Sequence, residues 1–354
     1  MFLAFKELKF SKLKYAMVGF ILTAILFLLF FINGLASGLA TADSSSLKNL
    51  PADYVVMNSE ADGNILKSEV GKNAQEELED SVAKDQFTPL TITMSTVKGG
   101  NAVADVVYFA LETDHPSLPP VIEGKPIEEI TGEEVVVDKS LKRQGYALHD
   151  TLHDENLGVE FTIAGFLENH TYSHMPVVYT SLNDWNKQPF SNPDKNQALL
   201  YYGKETDVAK MDVLTLEKTV ESMPGYSETQ GSLMMMVTFL FIISAFVSTV
   251  FFYVITIQKR NQFGVLKAIG ASTAFIAKGL VLQVVFLTIS GLVLSLLGVS
   301  GMTKLLPEEM PFEISWHMIG FTGIVFLALN VSGSLVSVHQ VAKTDPLEAI
   351  GRAD

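Results

Sequence analysis

The 354-residue chain has no cysteine. Disulfide staples, thiol catalysis and thiolate metal sites are therefore excluded, although this absence identifies no compartment. A phosphate-binding loop is also missing. Gly71-Lys72 and Gly124-Lys125 lack both the upstream glycine and the following Ser or Thr, so the chain does not hydrolyse nucleotide by itself. No serine elbow, zinc-protease helix or calcium loop occurs either, and no repeat or low-complexity segment appears. The last scarcity is local. Apart from Lys278, no Arg, Lys, Asp or Glu lies inside Ala16–Ala40, Leu233–Ile257, Phe275–Val299 or Trp316–Val338.

Those four stretches meet the length and polarity criterion for membrane spans, and a helix apolar on every face for that length is rarely a globular core helix. The chain is 48% hydrophobic with a mean hydropathy of +0.29, yet its net charge is −14. Segregation reconciles the two values: the acidic residues concentrate in Thr41–Gly231, and the remainder is net positive. Leu39-Ala40-Thr41-Ala42 resembles a signal-peptidase site, but the preceding apolar run exceeds the usual h-region and favours a retained span.

Orientation follows from the short flanks. Lys6, Lys9, Lys12 and Lys14 precede the first span, Lys259, Arg260 and Lys267 separate the second and third, and Lys343 and Arg352 follow the fourth. The positive-inside rule places all three segments in the cytoplasm. The expected organisation is a cytoplasmic amphipathic segment 1–15, a span 16–40, an extracytoplasmic α+β domain 41–231 and a span 232–257. A cytoplasmic segment 258–273, a span 274–300, an outer turn 301–314, a span 315–338 and a cytoplasmic tail 339–354 complete it.

Within the insert, DYVVMN, LTITMSTVKGGNAVADVVYFAL, GEEVVVDKSL, VEFTIAGFL and MPVVYTSL read as strands, the second as a hairpin about Gly99-Gly100-Asn101. Ser68–Asp85 and Asp207–Met223 read as helices, the latter ended by Pro224-Gly225. The pairs His149/His153 and His170/His174 have a spacing that would hold a metal on a helix, but their neighbours read as strand and loop. Gly34 and Gly38 would let another helix approach closely, either in a dimer or within one subunit. Asn33 is a polar side chain at membrane depth, and Met234, Met235 and Met236 open the second span just after Glu228.

Between the second and third spans, Gln258–Ala268 predicts a short helix with Phe263, Leu266 and Ile269 toward one side and Gly270 at its end. KRNQFGVLKAIGAS resembles the first signature of FtsX-like permeases, the membrane subunits of MacB-type ABC transporters. Lys343–Ile350 (KTDPLEAI) resembles the second signature. FKELKFSKLKYA and the one-plus-three span order also match, so the resemblance covers the whole chain. Gln262 stands where the family usually has Glu, which leaves a hydrogen bond rather than an ion pair for a partner there.

The resemblance implies a homodimer in a bacterial cell membrane, bound to two copies of a separate ATPase, with no nucleic-acid partner. ATPase coupling would fall to Lys259, Arg260, Gln262, Phe263, Gly264, Leu266 and Lys267, and dimer packing to Gly34 and Gly38. Among such permeases the chain is most similar to those of heme-regulated transporters of Gram-positive bacteria, through FFYVITIQKRNQFGVLKAIG, EEMPF and DPLEAIG. Heme is then expected as transported substrate, not as a covalently bound cofactor, with Phe30, Asn33, Tyr172, His174, Glu228 and Met234 as contacts. Of these, Glu228 and Met234 stand as possible ligands to the heme iron. The competing expectations are a signal transmitter acting on an outer protein partner, or an exporter of peptides or other amphipathic compounds.

Overall fold

The computed structural model describes residues 12–72, 75, 76, 86–100, 102–114, 118–206, 208, 210–307 and 310–342, the last seven as backbone. The KTDPLEAI signature and most of the helix expected over Ser68–Asp85 lie outside the described residues. The chain divides into two compact units at Gly38/Leu39 and Gln230/Gly231.

The helix unit is built from α1 (Lys12–Lys48), α5 (Tyr226–Gln258), α6 (Arg260–Ala268), α7 (Thr273–Thr303) and α8 (Trp316–Ala342). Helices α1, α5, α7 and α8 are each long and apolar enough to cross a membrane. Their Leu- and Phe-rich sides meet in one core that includes Leu22, Leu26, Leu29, Phe30, Phe252, Val284 and Phe326. The opposite sides stay apolar but exposed, as at Phe239, Phe246, Leu294 and Phe321. A surface of that kind needs hydrocarbon around it. At 1.5 Å per residue, the 37 residues of α1 extend about 55 Å. The expected end of the first span at Ala40 is therefore not the end of the helix, which continues into the inserted domain, where Ser44, Ser45, Ser46 and Leu47 are buried.

The domain contains β1 (Tyr54–Asn58), β2 (Val70–Gly71), β3 (Phe87–Gly99), β4 (Ala102–Leu111), β5 (Glu123–Gly124) and β6 (Glu134–Asp138). These are followed by α2 (Ser140–Arg143), β7 (Thr151–Asp154), β8 (Val159–Leu167), β9 (Thr171–Tyr172), β10 (Met175–Ser181) and α3 (Leu182–Trp185). β11 (Lys195–Asn196), β12 (Ala198–Tyr201), β13 (Met211–Thr215) and α4 (Leu216–Glu221) complete it. One mixed sheet runs β13-β1-β12-β3-β4-β10-β6-β8-β5, parallel at β4/β10 and β6/β8 and antiparallel elsewhere. Its central strands are apolar at nearly every position because both faces are covered. Val107, Phe109, Val177 and Tyr179 enter one core with Leu47 of α1 and Leu50 just past its end, whereas Val106, Tyr108 and Val178 enter a second core with Trp185.

The β3–β4 hairpin turns as expected, with register from Leu90↔Leu111 to Gly99↔Ala102 and Gly100 at φ 58°. The helix expected over Asp207–Met223 is corrected. Met211–Thr215 pairs antiparallel with β1 along its whole length, because its alternating side chains complete that sheet edge. Only Leu216–Glu221 is helical, capped by the Thr215 hydroxyl accepting from Lys218 N–H. Pro224 and Gly225, the latter at φ 79°, then separate α4 from α5.

Candidate functional site

Helices α5 and α6 meet at one non-helical residue, Lys259 (φ −98°, ψ 6°). Its backbone N–H donates to Ile255 O at 3.1 Å and Thr256 O at 3.2 Å. Phe263 and Gly264 are buried, and Phe263 packs on Ile276 and Leu280 of α7 with Leu266 alongside. Gly270, at φ 99°, reverses the chain, and the Ser272 hydroxyl caps α7 by accepting from Phe275 N–H at 3.2 Å. With one side pinned to α7, α6 exposes Arg260, Asn261, Gln262, Val265, Ala268 and, just past its end, Ile269.

This sorts the residues expected to couple with an ATPase. Arg260 and Gln262 are on the exposed face, Lys259, Leu266 and Lys267 are half-buried, and Phe263 and Gly264 are part of the α6–α7 core. The expected grouping of Ile269 with Phe263 and Leu266 is corrected, since Ile269 is 76% exposed. It lies at the C-cap, where the chain is already turning away from α7.

A buried polar group adjoins the elbow. The Tyr15 hydroxyl donates to Gln283 Oε1 at 2.8 Å, and Lys259 Nζ donates to the same hydroxyl at 3.3 Å. Lys14 Nζ donates to Gln258 Oε1 at 2.7 Å. A second polar seam joins α5 and α8, where Asn330 Nδ2 donates to Ser244 Oγ at 3.2 Å and to Phe326 O at 2.7 Å. Gly333 permits this approach, because a Cβ there would press on Thr249 Oγ1 and lie 3.1 Å from Ala245 O. Gln283 and Asn330 are polar residues inside apolar spans. That signal is readable in the sequence but is lost when only charged residues are counted.

Gly34 and Gly38 serve a purpose other than the dimer packing expected of them. A Cβ on Gly34 would lie 2.5 Å from the Phe312 ring, and one on Gly38 would strike the Pro311 carbonyl and Phe312 N. Glu313 N–H donates to Gly34 O at 3.0 Å, and Phe312 packs against Phe31, with ring centroids 5.5 Å apart. The small-residue stripe receives the chain's own α7–α8 turn, so it is an intrachain clasp.

In the domain, the loop Asn169–His174 holds the end of α1. Thr171 N–H donates to Ser45 Oγ at 2.9 Å, Thr171 Oγ1 to Thr41 O at 3.1 Å, and Asn49 Nδ2 to Asn169 O at 2.8 Å. Ser173 N–H donates to Asp43 O at 2.8 Å and His174 N–H to Ala42 O at 3.0 Å. Asn169, Ser173 and His174 all have left-handed backbones (φ 60°, 50° and 65°), a cost of order 1–3 kcal/mol each that surrounding contacts must offset. His170 is buried. Its N–H donates to Asp138 Oδ2 at 2.7 Å, and its Nδ1 lies 2.8 Å from the Tyr179 hydroxyl. Burial lowers its pKa from 6.5 to about 4, with Asp138 opposing. Burial also raises the Asp43 carboxyl, against the lowering influence of His174 and Lys48.

The expected heme contacts separate on inspection. Phe30 is fully buried in the helix core, and Asn33 Nδ2 donates to Leu29 O of its own helix at 2.8 Å. Tyr172 is 1% exposed, and burial holds its phenol far above the ordinary range. The expected Phe30 and Tyr172 contacts are therefore corrected, since both groups are consumed by cores that the one-dimensional pattern does not reveal. His174 is exposed with Nε2 3.4 Å from Asp43 Oδ1, and Glu228 and Met234 are also exposed. Neither histidine pair forms a metal site. His153 faces Glu160 at 2.9 Å and His170 is buried on Tyr179, and among the described residues no group of three or more His, Asp or Glu could hold a metal.

Four apolar helices, a jointed short helix between the second and third, and a large domain between the first and second make this a membrane protein. Residues 234–346 match the family described as FtsX-like permease C-terminal, and the chain carries an FtsX-like permease domain over that region. Along its length it is homologous to the protein named "Putative hemin transport system permease protein HrtB" in Staphylococcus haemolyticus, with 28% identity over 99% of both chains. The protein of the same name in Staphylococcus epidermidis is 27% identical over the same share of each chain. Among solved structures, the periplasmic region of MacB from Actinobacillus actinomycetemcomitans aligns with a TM-score of 0.36 at 10% identity, covering 48% of this chain and 90% of that one.

Proposed function

We propose that this protein is the permease subunit of an ATP-driven exporter that expels heme from a bacterial cell membrane and is driven by two copies of a separate ATPase acting on a permease homodimer. The observation that carries the coupling is α6. It is hinged at one residue, pinned to α7 on one side, and offers Gln262, Val265 and Ile269 on the other. The basic residues around it favour the cytoplasmic side, which puts both termini inside and the inserted domain outside. Heme as cargo rests on the names of the two staphylococcal relatives. His174, Glu228 and Met234 are exposed residues, and imidazole, carboxylate and thioether are groups suited to reversible contact with heme iron, and the bundle's lipid-facing sides suit a flat, membrane-partitioning cargo.

The test is reconstitution of the full chain with its ATPase in vesicles. Hemin is expected to raise hydrolysis several-fold and to shift its Soret band on mixing. No stimulation and no shift would overturn the cargo. Ile269→Asp, which sets a charge on the exposed α6 face, is expected to weaken ATPase docking at least tenfold, about the 1.4 kcal/mol that a desolvated unpaired charge exceeds. Unchanged association by co-purification would overturn the docking face. Gln262→Glu should be tolerated and should make docking salt-dependent.

A further inference from the structure

We propose that Tyr15 is the positioning residue that ties the α6 elbow to α1, so that displacement of α6 by a docked partner is relayed into the helix that enters the inserted domain. The inference rests on the coupling reading above but goes beyond it, because coupling has so far been assigned only to α6. Tyr15 is 3% exposed, and a phenol buried this deeply needs hydrogen-bond partners. Its hydroxyl serves two elements at once, donating to Gln283 of α7 and accepting from Lys259. Gln283 is itself only 2% exposed, so this bond satisfies an amide oxygen that water does not reach.

Lys259 is the joint between α5 and α6, so Tyr15 grips the hinge residue itself and not an arm on either side of it. The grip is doubled. Lys259 Nζ stands 5.6 Å from the Tyr15 ring centroid, a cation–π distance, and Lys14 bonds Gln258 on the other side of the joint. The Tyr15 ring is backed edge-on by Phe251 of α5 at 6.4 Å. A rotation of α6 about Lys259 must either carry Tyr15 with it or break these contacts together. Since α1 is one continuous helix from Lys12 to Lys48, a pull at Tyr15 acts on the segment that the loop Asn169–His174 holds.

The experiment uses the full chain reconstituted with its ATPase, and reads hydrolysis together with amide hydrogen exchange in Asn169–His174, with and without vanadate-trapped Mg-ATP. In the wild type, trapping should change exchange in that loop. Tyr15→Phe keeps the ring but loses both hydroxyl contacts. Hydrolysis should persist within about twofold, while the nucleotide-dependent change in the loop falls roughly tenfold, the size of one lost hydrogen bond. Tyr15→Phe combined with Gln283→Leu pairs two apolar groups and should restore any lost thermal stability without restoring the relay, because the hydroxyl that joins Lys259 to Gln283 of α7 is still missing. A residue with a merely structural role would recover both. The inference is overturned if Tyr15→Phe keeps the wild-type exchange change, or if the wild type hydrolyses ATP with no change in the loop. A wild type that neither binds nor stimulates an ATPase would remove the coupling reading, and this inference with it.

Discussion

Replacing Gly38 with alanine is expected to destabilise the helix unit by about 3 kcal/mol, the upper range for overpacking. The reason lies in the identity of the neighbours. A Cβ at Gly38 meets the Pro311 carbonyl and lies 2.5 Å from Phe312 N, all backbone atoms, so no rotamer change relieves the clash. At Gly34 the nearest atoms belong to the end of the Phe312 ring, so Gly34→Ala should cost less and should be rescued by Phe312→Leu, whereas Gly38→Ala should not. Gly301→Ala is the control, because a Cβ there meets nothing within 4 Å in a helical position and alanine favours helix. Thermal unfolding of the detergent-solubilised protein checks all four. If Gly38→Ala left unfolding unchanged and instead altered subunit association, the intrachain clasp would be wrong and the dimer assignment of the stripe would return.

The second large effect is a loss of domain stability on acidification. His170 has a folded pKa of about 4, against 6.5 for the ordinary group, because burial disfavours the imidazolium. Between those values the unfolded chain binds the proton and the folded chain does not. Stability is therefore fully present above pH 6.5 and declines as pH falls toward 4. At 1.36 kcal/mol per unit the loss reaches about 3 kcal/mol. Asp138, whose carboxylate faces His170, limits the shift, while Tyr179 accepts or donates at Nδ1 without ionising. Asp43, which is raised by burial, works in the opposite direction, gaining stability as pH falls. His170→Gln keeps a polar group toward Tyr179 and should flatten the slope between pH 4.5 and 6.5. Trp185 fluorescence reports the domain directly, since it lies in the second core 5.1 Å from Tyr108. Trp316→Phe removes the chain's other tryptophan. A wild-type slope as flat as that of His170→Gln would overturn the assignment.

If both effects are found, they locate the stress points of the molecule at two places where backbones come unusually close or bend unusually. Neither lies on a helix face that the hydropathy pattern marks. His170 itself contacts Asp138 of β6 and Tyr179 of β10, so acidification should act first where the loop meets the sheet, while the neighbouring Thr171, Ser173 and His174 hold the end of α1.

Some of this was determined by the sequence alone. Four apolar stretches, free of Arg, Lys, Asp and Glu apart from Lys278, read as spans because hydrocarbon tolerates few charges and admits self-satisfied helices. The strands of the insert announced themselves by alternation and by glycine turns, as at Gly99-Gly100. The jointed segment before Gly270 was legible too, since its basic, glycine-ended pattern interrupts two spans. The rest required the tertiary structure, because it concerns which partner satisfies a group of fixed chemistry. Met211–Thr215 became a strand through an open edge at β1, which no local propensity encodes. Tyr172 has the chemistry of a ligand but its packing is that of a core residue. Gly34 and Gly38 invite close approach, and only the folded chain shows that Pro311 and Phe312 accept the invitation. Residue type sets what a side chain can do, and burial and contact between residues distant in sequence decide which of those things it does.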